Sequence, residues 1–162
     1  MQPAQDQPFS QHDHLDVSGP AVDDHGRVVT ASSLAATWYR QAQRAIDRRR
    51  AITALRLAVE ADPAFELALA DLNALTGASG QCHSRGQMNW ERHHIEVVRT
   101  AASGNGKRAA DLLRDHLAGV GCDPLAFRIV AQMRQPVGTA DGFEDLSGQL
   151  PVCHPTPWPS SP

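Results

Sequence analysis

The amino-acid sequence predicts an all-α protein of about six amphipathic helices, which pack as stacked helical hairpins. Three observations favour this class. Apolar residues recur at steps of three and four along the middle of the chain, as they do on one face of a helix. Aromatic residues make up only 5% of the chain, so alanine and leucine must supply most of the core. Asp-Pro pairs and glycine turns separate the apolar segments, where helices end and restart.

The composition divides the chain into three parts. Residues 1–24 are rich in Gln, Asp, His, Pro and Ser, and predict a disordered tail because little of that segment could be buried. Residues 25–135 are predicted to form the helical domain, and a turn at Asp23-Asp24-His25-Gly26 joins the tail to it. Residues 136–162 are Pro-rich and predict a second disordered tail. Their last twelve residues hold five prolines, which cannot form a helix.

The first half of the domain predicts three helices, at 33–48, 51–61 and 64–76. Ser32 or Ser33 can cap the first, whose apolar stripe begins at Leu34 and continues through Trp38, Ala42, Ala45 and Ile46. We expect the arginines at 48–50 to lie at its carboxyl end, where positive charge complements the helix dipole. Proline after Asp62 ends the second helix, and Gly77 ends the third.

The second half predicts three more helices, at 90–103, 107–119 and 124–134. Asn89 can cap the fourth helix, and the Gly-Asn-Gly sequence at 104–106 is typical of a tight turn between helices. The Gly-Cys-Asp-Pro sequence at 121–124 repeats the stop and restart seen at Asp62. The two Asp-Pro pairs are not separated by a whole number of 34-residue repeats, which indicates an irregular array.

Charge and hydropathy exclude several classes of protein. The net charge of −3 and pI near 6.2 give no general electrostatic reason to bind nucleic acid or anionic lipid. No apolar run reaches the length that a membrane span needs, and residues 1–16 lack the basic and apolar regions of a secretory signal. We therefore expect a cytoplasmic protein. Its three cysteines, Cys82, Cys122 and Cys153, are expected to be reduced thiols.

The second helix carries the positions of a tetratricopeptide repeat. Such repeats place a small, a larger apolar and a small residue along their second helix, which ends at a proline. Ala51, Leu55, Ala58 and Pro63 fall on those positions, and the small residues would let the hairpin close. This part of the chain therefore resembles a tetratricopeptide repeat.

The order of the motifs suggests a narrower resemblance. An acidic-Gly turn, a helix ending in ADPAF, the sequence ERHHIEVV, a GNG turn and DPLAF follow one another between residues 22 and 132. This series resembles the tetratricopeptide repeat protein thirty-eight family. Members of that family look longer than this chain, so we expect the sixth helix to expose apolar surface and to offer a route to self-association. An alternative is that the chain is a truncated fragment without an independent role.

One polar cluster raises the alternative of a metal or thiol enzyme. Cys82, His83, His93 and His94 carry ligand and nucleophile chemistry. However, adjacent residues on a helix point about 100° apart, so we expect His93 and His94 to divide between solvent and a helix contact. The chain also lacks a nucleophile elbow, a P-loop and a dinucleotide-binding motif. We expect no catalytic site, no metal and no cofactor.

The function that the sequence favours is a non-catalytic interaction or scaffold module for an unidentified protein or peptide. Stacked hairpins form a groove, and partners usually dock there. Helix phase and the repeat match place seven candidate groove residues on the first and fourth helices, namely Trp38, Tyr39, Arg40 and Arg44 with Arg92, His93 and Glu96.

Overall fold

The computed structural model describes residues 19–78, 88–134 and 158, and these residues contain six α-helices. The predicted all-α class is confirmed, since the only β-structure in this part of the chain is an isolated bridge between Val22 and Val28. Both predicted tails lie outside the described residues, except for 19–24 and 158. The helices are α1 (Ser33–Arg44), α2 (Arg48–Ala61), α3 (Glu66–Thr76), α4 (Asn89–Ala102), α5 (Gly106–Val120) and α6 (Pro124–Arg134).

The helix ends follow local capping chemistry. Ser32 Oγ accepts from the Ala35 N–H at 3.3 Å, as predicted for α1. Asp47 caps α2 by accepting from the Arg50 N–H at 2.8 Å, so the arginines at 48–50 lie in the first turn of α2. The prediction that they end α1 is wrong, because Asp47 restarts the helix before them. Gly77 ends α3 at a φ of 71°, a left-handed conformation that favours glycine.

The buried face of α1 is rotated from its predicted position. Leu34 and Ile46 are 60% and 69% exposed, whereas Ala35, Tyr39 and Ala42 are fully buried. The predicted stripe is therefore displaced by about one residue at its start. Small alanines allow α1 to approach α2 closely, and the larger Leu34 side chain lies outside that contact.

Helix α6 lies at the centre of the packing. The helices α1 and α2 form one hairpin and α4 and α5 another, while α6 packs against α3, α4 and α5 and also contacts α1. Its apolar side chains Leu125, Ile129 and Val130 are fully buried. The expectation that α6 exposes apolar surface is wrong, because the other helices cover it. The case for self-association through this helix loses its physical basis.

Two further features bear on the environment of the chain. Among the described residues, no helix combines the length and the apolar character that crossing a membrane would require. Cys122 is disulfide-bonded, so the expectation of a reduced thiol is wrong for this residue. The other two cysteines, Cys82 and Cys153, lie outside the described residues.

Candidate functional site

Five polar side chains meet inside the helical bundle, and we call them the buried network. Each comes from a different element, and none is more than 1% exposed. Bringing these groups out of water costs free energy that their mutual contacts must offset. The members are Tyr39 of α1, Asp71 of α3, His94 of α4, His116 of α5 and Asp123, which immediately precedes α6.

His94 lies between two carboxylates. Its Nε2 is 2.6 Å from Asp71 Oδ1, and its Nδ1 is 2.7 Å from Asp123 Oδ2. Carboxylate oxygens are acceptors, so both ring nitrogens act as donors when the carboxylates are ionised. The ring is then an imidazolium held by two short, charge-assisted hydrogen bonds.

Asp123 joins this pair to the fifth and sixth helices. Its Oδ2 also accepts from His116 Nε2 at 3.0 Å, while its Oδ1 accepts from the Ala126 N–H at the start of α6. The rings of His94 and His116 lie 5.9 Å apart, nearly edge to face. One carboxylate therefore ties two imidazoles to the N-terminus of a buried helix.

Tyr39 completes the network from α1. Its hydroxyl donates to Asp71 Oδ2 at 3.0 Å, and its ring packs edge-on against Phe65 with centroids 5.2 Å apart. Burial raises the pKa of Tyr39 well above its usual value, and the nearby carboxylate of Asp71 adds to the effect. The phenol is therefore a neutral donor at every physiological pH.

The pKa values within the network move in opposite directions. Burial alone would lower the pKa of His94, but the carboxylates of Asp71 and Asp123 outweigh it and raise this pKa to about 10. Burial likewise favours the protonated form of Asp123, yet His94 and His116 hold its pKa well below the usual range. Burial dominates at the other two groups, raising the pKa of Asp71 and lowering that of His116. The centre of the network is a charged His94–Asp123 pair.

A second set of contacts ties the N-terminal turn to the network. Arg27 Nε donates to Asp23 Oδ2 at 2.7 Å, and Arg27 Nη2 lies 3.8 Å from Asp123 Oδ2. The guanidinium stacks 4.3 Å from the centroid of the Trp90 ring. Gln43 of α1 also donates to Asp23. The turn predicted at 23–26 is therefore followed by a partly buried cation, Arg27, that lies within a few ångströms of the network.

The network occupies core positions of otherwise apolar helix faces. Asp71 lies four residues from both Leu67 and Leu75 on the buried face of α3, and His116 lies beside Leu113 and Leu117 on that of α5. A polar residue in phase with an apolar stripe is the sequence signal that could have identified both. Asp71, His116 and the side-chain role of Asp123 are absent from the predicted sites. His94 is predicted only as part of a different cluster.

The candidate groove residues of α1 differ in exposure. Tyr39 is buried in the network, so its assignment to a groove is wrong; its phase on α1 points inward with Ala35 and Ala42. Trp38 and Arg40 are partly buried, and Arg40 donates to Thr37. Arg44 is exposed and pairs with Asp24 of the N-terminal turn.

The candidate groove residues of α4 all face solvent. Arg92, His93 and Glu96 are exposed on one side of the helix, and Arg92 donates to Asn89. The main packing partners of α4 are α3, α5 and α6, whereas those of α1 are α2 and α6. The principal packing therefore does not bring the two sets of residues into one groove.

The other predicted cluster does not assemble among the described residues. His94 is buried and His93 is exposed, which confirms that the adjacent histidines divide between a helix contact and solvent. Cys82 and His83 lie outside the described residues. The group of ligand-type atoms that the structure does bring together is instead that of His94, His116 and Asp123, within 4.8 Å of one another.

Three comparisons with known proteins found no match. No protein-family model matches the chain, and no curated protein and no solved structure is significantly similar to it. The resemblance to the tetratricopeptide repeat protein thirty-eight family stays a prediction, and the chemistry open to the site follows from its own geometry.

Proposed function

We propose that the chain is a non-catalytic helical scaffold that binds a protein or peptide through its solvent-facing helix surfaces. One observation carries the proposal. The five members of the buried network are closed off from solvent and bonded to one another, while Arg92, His93 and Glu96 face solvent on a regular helix surface. A buried network of this kind holds helices in register, and it leaves a substrate no direct access.

The packing of α6 supports a helical unit that covers its own apolar faces. The last helix of an open array would leave an apolar face uncovered. Here the apolar residues of α6 are buried by four other helices. A tetratricopeptide-like ancestry agrees with the small residues of α2, and it belongs to the same proposal.

The outward face of α4 is the candidate binding surface. Arg92, His93, Glu96 and Arg99 are exposed at helical spacing, and charge of both signs is concentrated there. Exposed charges cost little to desolvate partially and can steer a partner of complementary charge. On α1, Arg40 and Arg44 share one side of the helix and form a second candidate surface that does not depend on the first, while Trp38 lies on a different side.

A site-specific photo-crosslinking experiment tests the proposal. A photoreactive residue replaces His93 on α4 in one variant, and Arg114 on the outward face of α5 in a matched control. We expect crosslinking to one discrete partner from position 93, and loss of that product when Arg92→Ala and Glu96→Ala are added. Equal labelling from both positions, or labelling that survives the two substitutions, would count against the α4 surface.

The compartment of the chain, for which a cytoplasmic location is expected, is a separate part of the proposal. Disulfides form and persist mainly in oxidising compartments, and Cys122 is disulfide-bonded. Alkylation of free thiols in intact cells, followed by mass spectrometry of the Cys122 peptide, distinguishes the cases. A cytoplasmic protein should show alkylated Cys122, whereas protection of Cys122 would place the chain in an oxidising compartment.

A further inference from the structure

The buried network has the composition of a transition-metal site. Imidazole and carboxylate are among the ligands that Zn²⁺ and related divalent ions accept, often as three protein side chains with a water in the fourth position. His94 Nδ1 and His116 Nε2 both approach Asp123 Oδ2, at 2.7 and 3.0 Å. The three ligand-type atoms converge within 4.8 Å, and all three residues are buried.

A second observation, independent of the convergence of these three atoms, also indicates a metal site. Histidines that bind metals usually donate their other ring N–H to a carboxylate, which fixes the ring and its tautomer. His94 does so through Nε2 to Asp71, and Tyr39 in turn donates to the other oxygen of Asp71. Asp123 is oriented in the same way, because its Oδ1 caps α6. Two of the three ligands are thus held by outer contacts.

His116 is difficult to explain by hydrogen bonding alone. His116 is 1% exposed, and among the described residues its Nδ1 has no hydrogen-bond partner. The hydrogen bond that its ring does make there goes to an oxygen that His94 already uses. An apolar side chain of similar size would avoid the cost of burying that unpaired nitrogen. What the imidazole supplies, and an apolar residue cannot, is a nitrogen directed at Asp123.

We propose that His94 Nδ1, His116 Nε2 and Asp123 Oδ2 bind one divalent transition-metal ion of the Zn²⁺ class. The ion takes the place of the proton on His94 Nδ1, which passes to solvent and leaves that ring neutral. The Nε2 proton of the neutral His116 ring moves to its Nδ1, so that Nε2 can bind the ion. Tetrahedral coordination places neighbouring ligand atoms about 3.3 Å apart, so Asp123 Oδ2 must move away from the two imidazole nitrogens by roughly half an ångström. The site goes beyond the proposed scaffold function and does not depend on any partner.

The surrounding charges set the strength of such a site. Asp71 and Asp123 favour a cation, whereas Arg27, whose Nη2 is 3.8 Å from Asp123 Oδ2, opposes it. Arg27 is held away by Asp23 and by the Trp90 ring. The ion therefore adds positive charge to a region with two carboxylates at its centre and a third, Asp23, beside it.

Cobalt and zinc titrations of the full chain, purified with a chelator and then dialysed, test the proposal. Co²⁺ reports directly on coordination through its visible absorption bands, and Zn²⁺ then displaces it. We expect one equivalent of Co²⁺ to give intense bands of low coordination number. His116→Gln should weaken binding at least about tenfold, and Asp71→Asn by about 10- to 100-fold, as for other outer-contact changes.

His93→Gln is the matched control, because it alters the exposed neighbour of His94 and should leave the titration unchanged. Circular dichroism verifies that each variant is folded. If His116→Gln does not fold, Asp71→Asn and the stoichiometry of the wild-type chain decide the matter. Absence of the bands in the wild-type protein, or equal binding by wild type and His116→Gln, would overturn the proposal.

Discussion

At the scale of single residues, the contacts of His94 with two carboxylates determine the energetics of the buried network. An imidazolium buried without partners would lose its proton, but here two carboxylates flank it at 2.6 and 2.7 Å. A buried pair adds little when compared with an apolar pair, yet removal of one partner costs about 3–5 kcal/mol because the other charge is left unpaired. The main effect of the network is therefore to determine which helices pack together. Its contribution to net stability is smaller.

The first prediction concerns pH and the metal-free protein. The pKa of His94 is about 10 in the folded chain and about 6.5 when unfolded, so its stabilising contribution is fully present below about pH 6.5. That contribution is lost as the pH rises toward 10. The difference between the two pKa values corresponds to a free energy of unfolding of about a few kcal/mol. Urea unfolding with chelator present should show the loss between pH 7 and 9.5.

The control for this titration is His93→Gln, which should keep the same dependence on pH because His93 is exposed. Asp123 contributes with the opposite sign, since its pKa is depressed in the folded chain. Its stabilisation is present above about pH 4, near the unfolded pKa of a carboxyl group, and is lost as the pH falls further. A free energy of unfolding that stays constant from pH 7 to 9.5 would contradict the assignment of His94.

A second prediction isolates the hydrogen bond from Tyr39. Tyr39→Phe removes the hydroxyl that donates to Asp71 while the ring keeps its place against Phe65. We expect a loss of about 1.5–3 kcal/mol, the usual range for a hydrogen bond to a charged group. Chemical denaturation measures it, and a loss below about 0.5 kcal/mol would show that Asp71 does not depend on this donor.

Sequence reasoning identified little of the network, for a physical reason. Its members come from five elements, and no spacing along the chain reveals that Asp71 and Asp123 meet at His94. Periodicity did indicate that one of His93 and His94 is buried. It could not supply the buried partner, because that depends on how α3, α5 and α6 pack around α4.

At the scale of helices, the sequence predicted the structure far better than it predicted the buried network, because helix ends depend on local chemistry. Six helices were predicted and six are present in the described residues, with most ends displaced by no more than three residues. Ser32 and the Asp-Pro and Gly signals act through neighbouring backbone groups, so they can be recognised without the tertiary structure. The largest error, the carboxyl end of α1, arose because the capping role of Asp47 was overlooked.

A third prediction compares two glycines in one region. Gly121 ends α5 at a φ of 80°, where an alanine is strained, so Gly121→Ala should cost about 1–2 kcal/mol. Gly119 lies within α5, and a Cβ added there meets nothing within 4 Å. Gly119→Ala should therefore stabilise the chain by about 0.5–1 kcal/mol. Thermal unfolding of both variants measures the difference, and shifts of the same sign would contradict the assignment of Gly121 as the end of α5.

At the scale of the whole molecule, closure of the bundle distinguishes this chain from an open array. Helix α6 contacts both α1 and the α4–α5 hairpin, and Trp158 is buried against the end of α1. The Trp158 indole N–H donates to the Ala45 carbonyl at 3.1 Å, and the ring lies 5.9 Å from the Arg128 guanidinium. A residue close to the carboxyl end therefore packs against the first helix.

The fourth prediction tests that closure. Trp158→Ala should lower the free energy of unfolding by about 3 kcal/mol, the lower end of the range for a large buried aromatic side chain. Trp158→Phe keeps most of the apolar contact but loses the donor to Ala45, so it should cost only about 1 kcal/mol. Denaturation curves for the two variants decide the point. If neither variant changes stability, Trp158 does not close the bundle.

The protonation state of His94 tests the account of a closed, charged network most directly. Nitrogen-15 NMR of the histidine rings, in metal-free protein at pH 7.5, reports whether each ring nitrogen carries a proton. Both nitrogens of His94 should be protonated, because each faces a carboxylate, and the ring should titrate near pH 10. A neutral His94 that titrates near pH 6.5 would contradict the account, since a neutral ring has one N–H and could not donate to both Asp71 and Asp123.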